Sequence, residues 1–334
     1  MNGVGIIGLG SFVQEKIVTN NDFVKMGIDT SDEWIKTRSG IEKRRFVKEG
    51  QATSDLAYEA SKIAIEDAKI NPNDIELIIV ATCTPDYLLF PSVACIVQDK
   101  LGLSNTKIGA FDVSGACTGF IYALKIGYEF IRNDTYKKIL VVGADVYSPF
   151  LNFKDRGTCF LFGDGAGAVI LGKTEKDKGI LSINIHADGS GKDLMNVPCG
   201  GSRKNITSEA IDKGEDKVFM NGKAIFKWAT NIIINSLEES INESGIKKED
   251  IDLLVAHQAN SRIIEYARKK LNLPVENVYV NIDRYGNTSA ASIPLALHEA
   301  WQMKKLKENN IVAMVGFGAG LTYGSAILKW NKKR

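Results

Sequence analysis

Two stretches of this chain, "NDIELIIVAT" (Asn73–Thr82) and "EDIDLLVAHQ" (Glu249–Gln258), read as one element written twice. The likeness continues downstream. "QDKLGL" (Gln98–Leu103) is matched by "RKKLNL" (Arg268–Leu273), and "FDVSGACTG" by "NIDRYGNTS" (Asn281–Ser289). Leu101 lies sixteen residues before Cys117, as Leu271 does before Asn287. A helix-like stretch follows each, then an apolar strand reaching a glycine, Gly143 or Gly316. Two apolar strands resemble each other by chance; four elements in the same order do not. The pattern predicts a duplicated chain whose halves, 1–174 and 175–334, pack as pseudo-equivalent units.

Each half alternates β-branched runs with helical periodicity. "IELIIVAT", "KKILVVGAD", "IDLLVAHQ" and "NIVAMVGFG" read as buried strands, and "TSDLAYEASKIAIEDAKI" from Thr53 as a helix capped by Ser54 or Asp55. Alternation of this kind predicts an α/β architecture with both sheet faces covered. The duplication also sets Cys117 and Asn287 at matching corners of the two halves, with His257 at a strand end. Ligands of open α/β sheets gather at the carboxyl ends of strands, so the three become candidates for one pocket.

Composition removes several function classes. The 42 Lys and Arg nearly balance the 40 Asp and Glu, so no overall charge draws the chain to nucleic acid or a membrane surface. Three histidines and five cysteines are scattered without metal-ligand spacing, which argues against a structural metal. An odd cysteine count, with Cys83 and Cys95 in apolar segments, suits a reducing compartment. The start has no basic segment before its short apolar run, and no run approaches the ~18 apolar residues of a membrane span. The expectation is a soluble cytoplasmic protein.

Cys117 is surrounded by Ser114, Gly115, Ala116, Thr118 and Gly119, all small. Small neighbours let a substrate reach both the sulfur and the adjacent backbone N–H groups. If the segment turns from a strand into a helix N-terminus, the helix dipole lowers the thiol's pKa and favours a nucleophilic thiolate. A small buried hydrophobe would look much the same. Cys83, Cys95, Cys159 and Cys199 lack these surroundings and read as structural. His257 alone reads as scaffolding. Grouped with a cysteine and an asparagine, its imidazole and the carboxamide can donate to one oxygen and stabilise an enolate. His186 and His298 have no such company.

Glycine clusters invite a nucleotide reading and fail it. "GVGIIG" begins at the terminus with no strand ahead, and "GDGAGA" and "GFGAG" lack the Lys-Ser/Thr of a phosphate loop. They read as turns and close packing, with "GFGAG" able to offer a second oxyanion donor. The glycine-rich polar segment His186–Met220 reads as an excursion beside the site. Arg38, Arg156, Arg262, Lys269 and Lys270 read, on their own, as a solvated face.

The whole set resembles the β-ketoacyl-acyl-carrier-protein synthase III family of the thiolase-like superfamily. The resemblance spans nearly the whole chain and rests on "TSDEWIKTRSGI", "TPDYLLFPSVAC", "FDVSGACTGF", "RGTCFLFGDGAGA", "HQANSRI" and "GNTSAASIPLAL", in that order. It implies two βαβαβαββ halves in a layered α-β-α-β-α arrangement. It implies that Cys117 takes an acyl group from acyl-CoA, and that His257 and Asn287 support decarboxylation of malonyl-acyl carrier protein. The N–H groups of Cys117 and Ala319 would form the oxyanion hole. Trp34 and Arg38 would clasp the adenine end of coenzyme A, and Arg156, Phe226 and Arg262 would line the tunnel mouth. Phe90 would reach into a partner subunit's acyl pocket in a homodimer, with Phe162 in the pocket wall. Arg262, Lys269 and Lys270 would dock the acidic carrier protein. No permanently bound cofactor is implied, coenzyme A entering as the thioester substrate.

Four positions depart from the family's pattern: Gly115 where alanine is frequent, Ala319 inside a glycine run, Tyr323 for tryptophan and Lys223 for asparagine. Replacing glycine by alanine keeps an N–H, so these bear on the primer and not on the reaction type. The rival reading within this fold is an acyl-CoA-dependent condensing or acyl-transfer enzyme of secondary metabolism. Thiolases use a second cysteine as base, a hydroxymethylglutaryl-CoA synthase wants a glutamate with no counterpart here, and a non-catalytic binding module has no use for the trio.

Overall fold

The computed structural model describes residues 3–333. Its first sheet contains β1 (Gly3–Phe12), β2 (Leu77–Ala81), β3 (Gly109–Val113), β4 (Ile139–Asp145) and β5 (Gly165–Thr174), in the order β1-β5-β4-β2-β3. Strands β4, β2 and β3 are parallel, and β5 runs antiparallel to β4 and β1. The second sheet contains β6 (Gly179–Ala187), β7 (Leu253–Ala256), β8 (Ile311–Gly318) and β9 (Thr322–Lys329), in the order β6-β9-β8-β7 with the same sense of pairing. Its fifth position is marked only by a bridge between Leu254 and Val278.

Six helices complete the repeat: α1 (Thr53–Ala68), α2 (Val93–Lys100), α3 (Gly119–Arg132), α4 (Gly222–Ser244), α5 (Ser261–Leu271) and α6 (Ser292–Gln302). Alternation along the strands sorts them into layers. Ile79 and Val141 of the first sheet, with Val255 and Met314 of the second, face the central helices through Phe120, Leu124, Ile293 and Leu297. Ile78, Val80 and Val142 face outward onto Leu56, Ala60 and Val97 of α1 and α2. On the other side Leu254 and Val315 meet Ile233, Leu237 and Ile264 of α4 and α5. The result is the expected α-β-α-β-α stack. At α1 the capping differs in detail: Ala52 is the cap residue, and its N–H donates to Asp55 Oδ2 at 2.8 Å.

Each central helix is entered through a strained corner. Ala116 and Ser289 both have positive φ, 48° and 51°, and each opens a short 3₁₀ turn (Ala116–Thr118, Ser289–Ala291) that hands over to α3 or α6. This geometry pairs Cys117 with Ala290 and displaces the sequence match with Asn287 by three residues. The cause is local: the second half approaches its corner through the short helix Ile282–Tyr285, where the first half has strand β3. Asn287 therefore comes from the loop just before its corner. The two halves meet at these turns. A Cβ on Gly143 of β4 would stand 2.2 Å from the Ala290 carbonyl oxygen, and one on Gly316 of β8 would stand 3.3 Å from the Thr118 Cα.

No helix among the described residues is long and apolar enough to cross a membrane.

Candidate active site

Cys117 sits in the turn immediately ahead of α3, so the helix N-terminus does lie behind it. It is 4% exposed, and burial pushes its thiol up to about 12. The neighbouring Ser289 and Asn287 side chains pull the other way without prevailing. The lowered pKa expected from the helix terminus is thus outweighed by desolvation, which penalises a buried thiolate, with the nearby Asp145 adding to the rise. At rest the group is a thiol.

His257 directly follows β7, and its N–H donates to Val315 O at 2.8 Å, extending the β7–β8 ladder by one residue. The imidazole is buried edge-on to Phe317, with ring centroids 5.2 Å apart, and its Nδ1 lies 2.6 Å from Ser292 Oγ at the start of α6. Burial lowers its pKa to about 3, so the ring is neutral throughout the physiological range. His186 instead contacts Glu239 at 2.8 Å, and His298 contacts Ser11 at 2.7 Å; both serve the scaffold.

Asn287 is pinned by its backbone. Its N–H donates to Leu161 O at 2.8 Å and its carbonyl accepts from Gly163 N at 3.0 Å, placing it beside Phe162. Its side-chain Oδ1 accepts the Ser289 N–H at 2.9 Å, which leaves Nδ2 as a donor. The loop carrying it is anchored to α6 through Glu299. That carboxylate accepts from Arg284 Nη1 at 2.7 Å, from Arg284 Nη2 at 3.1 Å, from Asn281 Nδ2 at 2.9 Å and from Tyr285 OH at 3.1 Å.

Cys117, His257 and Asn287 line one cavity of about 650 Å³, together with Ala319, Phe162, Phe226, Trp34, Arg38 and Arg262. The Arg262 guanidinium lies 4.9 Å from the Phe226 ring, and that of Arg38 4.4 Å from the Trp34 ring. Asn260 caps α5 and donates through Nδ2 to Arg38 O at 2.9 Å, fixing the short helix Asp32–Ser39 against the cavity. Arg156 stands at the edge, 5.1 Å from the Trp34 ring and paired with Asp29 at 2.6 Å. Met195 and Met220, from the long polar segment, also line the cavity.

Four predicted residues are not in its lining: Arg156, Lys269, Lys270 and Phe90. Lys269 and Lys270 project from the last turn of α5. Phe90 is 80% exposed, in a run with Tyr87, Leu88 and Leu89 that is exposed as well.

Sequence reasoning missed the buried supports. Asp145, at the end of β4, accepts from Thr82 Oγ1, Cys83 N and Thr84 Oγ1 at 2.8–3.0 Å, and from Ala290 N at 3.2 Å. It thereby ties the loop after β2 to the second half's corner. Cys83, read as structural, is exposed and lies beside Ser114 and Ala116 at the first corner. Tyr147 stacks on Phe162 with ring centroids 4.7 Å apart. None sits in a motif; only the three-dimensional neighbourhood marks them.

Comparison with known proteins places the chain among related sequences and folds. Residues 111–189 match the family described as 3-Oxoacyl-[acyl-carrier-protein (ACP)] synthase III, and residues 241–330 match its C-terminal counterpart. A curated relative from Caldanaerobacter subterraneus subsp. tengcongensis, named Beta-ketoacyl-[acyl-carrier-protein] synthase III, is 50% identical over 98% of both chains. One of the same name from Clostridioides difficile is 49% identical over 98% of both. Among solved structures, the 3-oxoacyl-[acyl-carrier-protein] synthase III of Aquifex aeolicus superposes with a TM-score of 0.89 at 41% identity, covering 98% of this chain and 100% of that one.

Proposed function

The chain belongs to the β-ketoacyl-acyl-carrier-protein synthase III family, and from that premise we propose that Cys117, His257 and Asn287 carry the two half-reactions of its condensation. The enzyme joins the acyl group of an acyl-CoA to malonyl-acyl carrier protein and so starts fatty acid synthesis. What supports the assignment of residues is the convergence of the three side chains, from opposite halves, on one open cavity.

In the first half-reaction the Cys117 sulfur attacks the thioester carbonyl. The N–H groups of Cys117 and Ala319 hold the oxyanion, the C–S bond to coenzyme A breaks, and the departing thiolate takes up the proton released by Cys117. A resting thiol suits this order, since no free thiolate waits to react with other electrophiles. In the second, malonyl-acyl carrier protein loses CO2 and the electron pair passes to the α-carbon. His257 and Asn287 Nδ2 hold the enolate oxygen. The α-carbon attacks the acyl-cysteine, a C–C bond forms, the C–S bond breaks, and the Cys117 thiolate is reprotonated from solvent.

Trp34 and Arg38 clasp the adenine end of coenzyme A, with Arg156, Phe226 and Arg262 at the mouth. Lys269, Lys270 and Arg262 meet the carrier protein, a contact that weakens with salt. The exposed apolar run ending at Phe90 is the natural contact of a homodimer, with Phe90 entering the partner's acyl pocket. The halves divide at 174/175.

Intact-mass spectrometry with a panel of acyl-CoAs tests the reading. Cys117→Ala abolishes the acyl adduct. His257→Ala still loads but yields no 3-oxoacyl product from malonyl-acyl carrier protein. An adduct on the Cys117→Ala protein would overturn the assignment of the nucleophile.

A further inference from the structure

An imidazole that donates to an enolate must carry its proton on the ring nitrogen facing the substrate. A neutral ring has one proton, so its other nitrogen must accept. Which nitrogen is which depends on the partner behind the ring, and that partner is Ser292.

Ser292 Oγ lies 2.6 Å from His257 Nδ1 and 2.9 Å from the Ser289 carbonyl oxygen. Its hydroxyl has one proton for these two acceptor positions. The Ser289 carbonyl is already served by the Ser292 backbone N–H, the bond that closes the 3₁₀ turn before α6. It does not need the hydroxyl. The ring nitrogen has no other hydrogen-bond partner on that side, and both His257 and Ser292 are buried, 1% exposed each. Of the two contacts of the hydroxyl, the one to Nδ1 is the shorter, 2.6 Å against 2.9 Å.

We propose that Ser292 is a positioning residue that donates its hydroxyl proton to His257 Nδ1 and thereby fixes the ring as the Nε2–H tautomer, facing the cavity. Ser292 touches no substrate. It makes His257 a hydrogen-bond donor and denies it the role of base toward Cys117. This rests on the condensation described above for its kinetic consequence, but the tautomer itself is a property of the free enzyme.

The test uses the full-length protein with ¹⁵N-labelled histidine, the His257 signals being assigned by their loss in His257→Gln. In the unmodified enzyme without substrate, the spectrum shows neutral His257 with its proton on Nε2. A proton on Nδ1, or an even mixture, overturns the proposal, whatever the enzyme's activity. In Ser292→Ala the tautomers mix, and condensation with malonyl-acyl carrier protein falls about tenfold, less than the 10²–10³ for deleting a donor outright. Acyl loading from acyl-CoA stays within about twofold, because an acid–base group in that step would be worth far more. Ser292→Thr, which keeps the hydroxyl, restores the Nε2–H tautomer and most of the condensation rate. Equal losses in loading and condensation for Ser292→Ala, or an unchanged tautomer and rate, also overturn it. Should that variant fail to fold, the spectrum of the unmodified enzyme still decides.

Discussion

The backbone of Gly318 packs directly on Cys117: a β-carbon at 318 would stand 2.7 Å from the Cys117 amide nitrogen and 3.2 Å from its Cβ. The end of β8 thus forms one wall of the nucleophile's corner, with Ala319 next along the chain. Any side chain here presses on the Cys117 N–H, the oxyanion donor proposed above. Gly318→Ala is expected to cut acyl loading by about 100-fold, the scale of losing one oxyanion donor. The melting temperature should fall as well, since the atom met is backbone and must shift. Label transfer from acyl-CoA measures the first, calorimetry the second. Normal loading would mean that Cys117 N–H plays no part.

The Cys117 thiol, with its pKa raised to about 12, has a definite chemical signature. An acid with a raised pKa stays protonated until the pH approaches that value. Alkylation by iodoacetamide should therefore climb about tenfold per pH unit through the neutral and mildly alkaline range, because only the thiolate reacts. A plateau near pH 7 would show that the helix terminus outweighs burial. His257, lowered to about 3, adds no inflection near pH 6.5 to the condensation rate, since it is already neutral there.

This reversal shows where sequence reading stops. The strands, the layering and the meeting of Cys117, His257 and Asn287 in one cavity were legible, because each leaves a local mark: apolar runs, an order of elements, small residues around one sulfur. The sign of the thiol's shift was not. It depends on how completely Phe317, Gly318 and the second half's corner close over Cys117, contacts from some 200 residues away. The three-residue displacement between Cys117 and Asn287 was hidden for a similar reason. A short helix, Ile282–Tyr285, replaces a strand there, and spacing alone cannot tell the two apart. Asp145, Ser292 and Glu299 are single polar residues in apolar segments, identified only by what they touch.

Glu299 illustrates the last point and can be tested. Its carboxylate gathers Arg284, Asn281 and Tyr285, and so shapes the loop that presents Asn287. Removing it leaves the partly solvated Arg284 guanidinium with only the longer 3.6 Å contact to Asp283. Glu299→Ala should destabilise the protein by about 2 kcal/mol, below the ~3–5 expected for a fully buried pair because Arg284 reaches solvent. Condensation should fall further than loading, as Asn287 serves only the former. Denaturant unfolding and the two separate rates check this. Equal rate losses would indicate a general loosening.

Tyr147 is expected to limit how deep an acyl group reaches, because it backs Phe162 in the cavity wall. It is buried, and its ring stacks on Phe162 at an interplanar angle of 15°. A primer attached to Cys117 and pointing toward this stack meets two flat rings. Tyr147→Leu removes part of that wall while keeping an apolar filling, which limits the stability loss that a truncation to alanine would bring, about 3 kcal/mol or more. The ratio of loading rates, hexanoyl-CoA to acetyl-CoA, should rise at least about tenfold, since each methylene accommodated is worth ~1–3 kcal/mol. Competition between the two thioesters, read by intact-mass spectrometry, gives the ratio directly. If it does not move, the acyl chain runs elsewhere, and the Tyr147–Phe162 stack supports the corner without lining the primer's path.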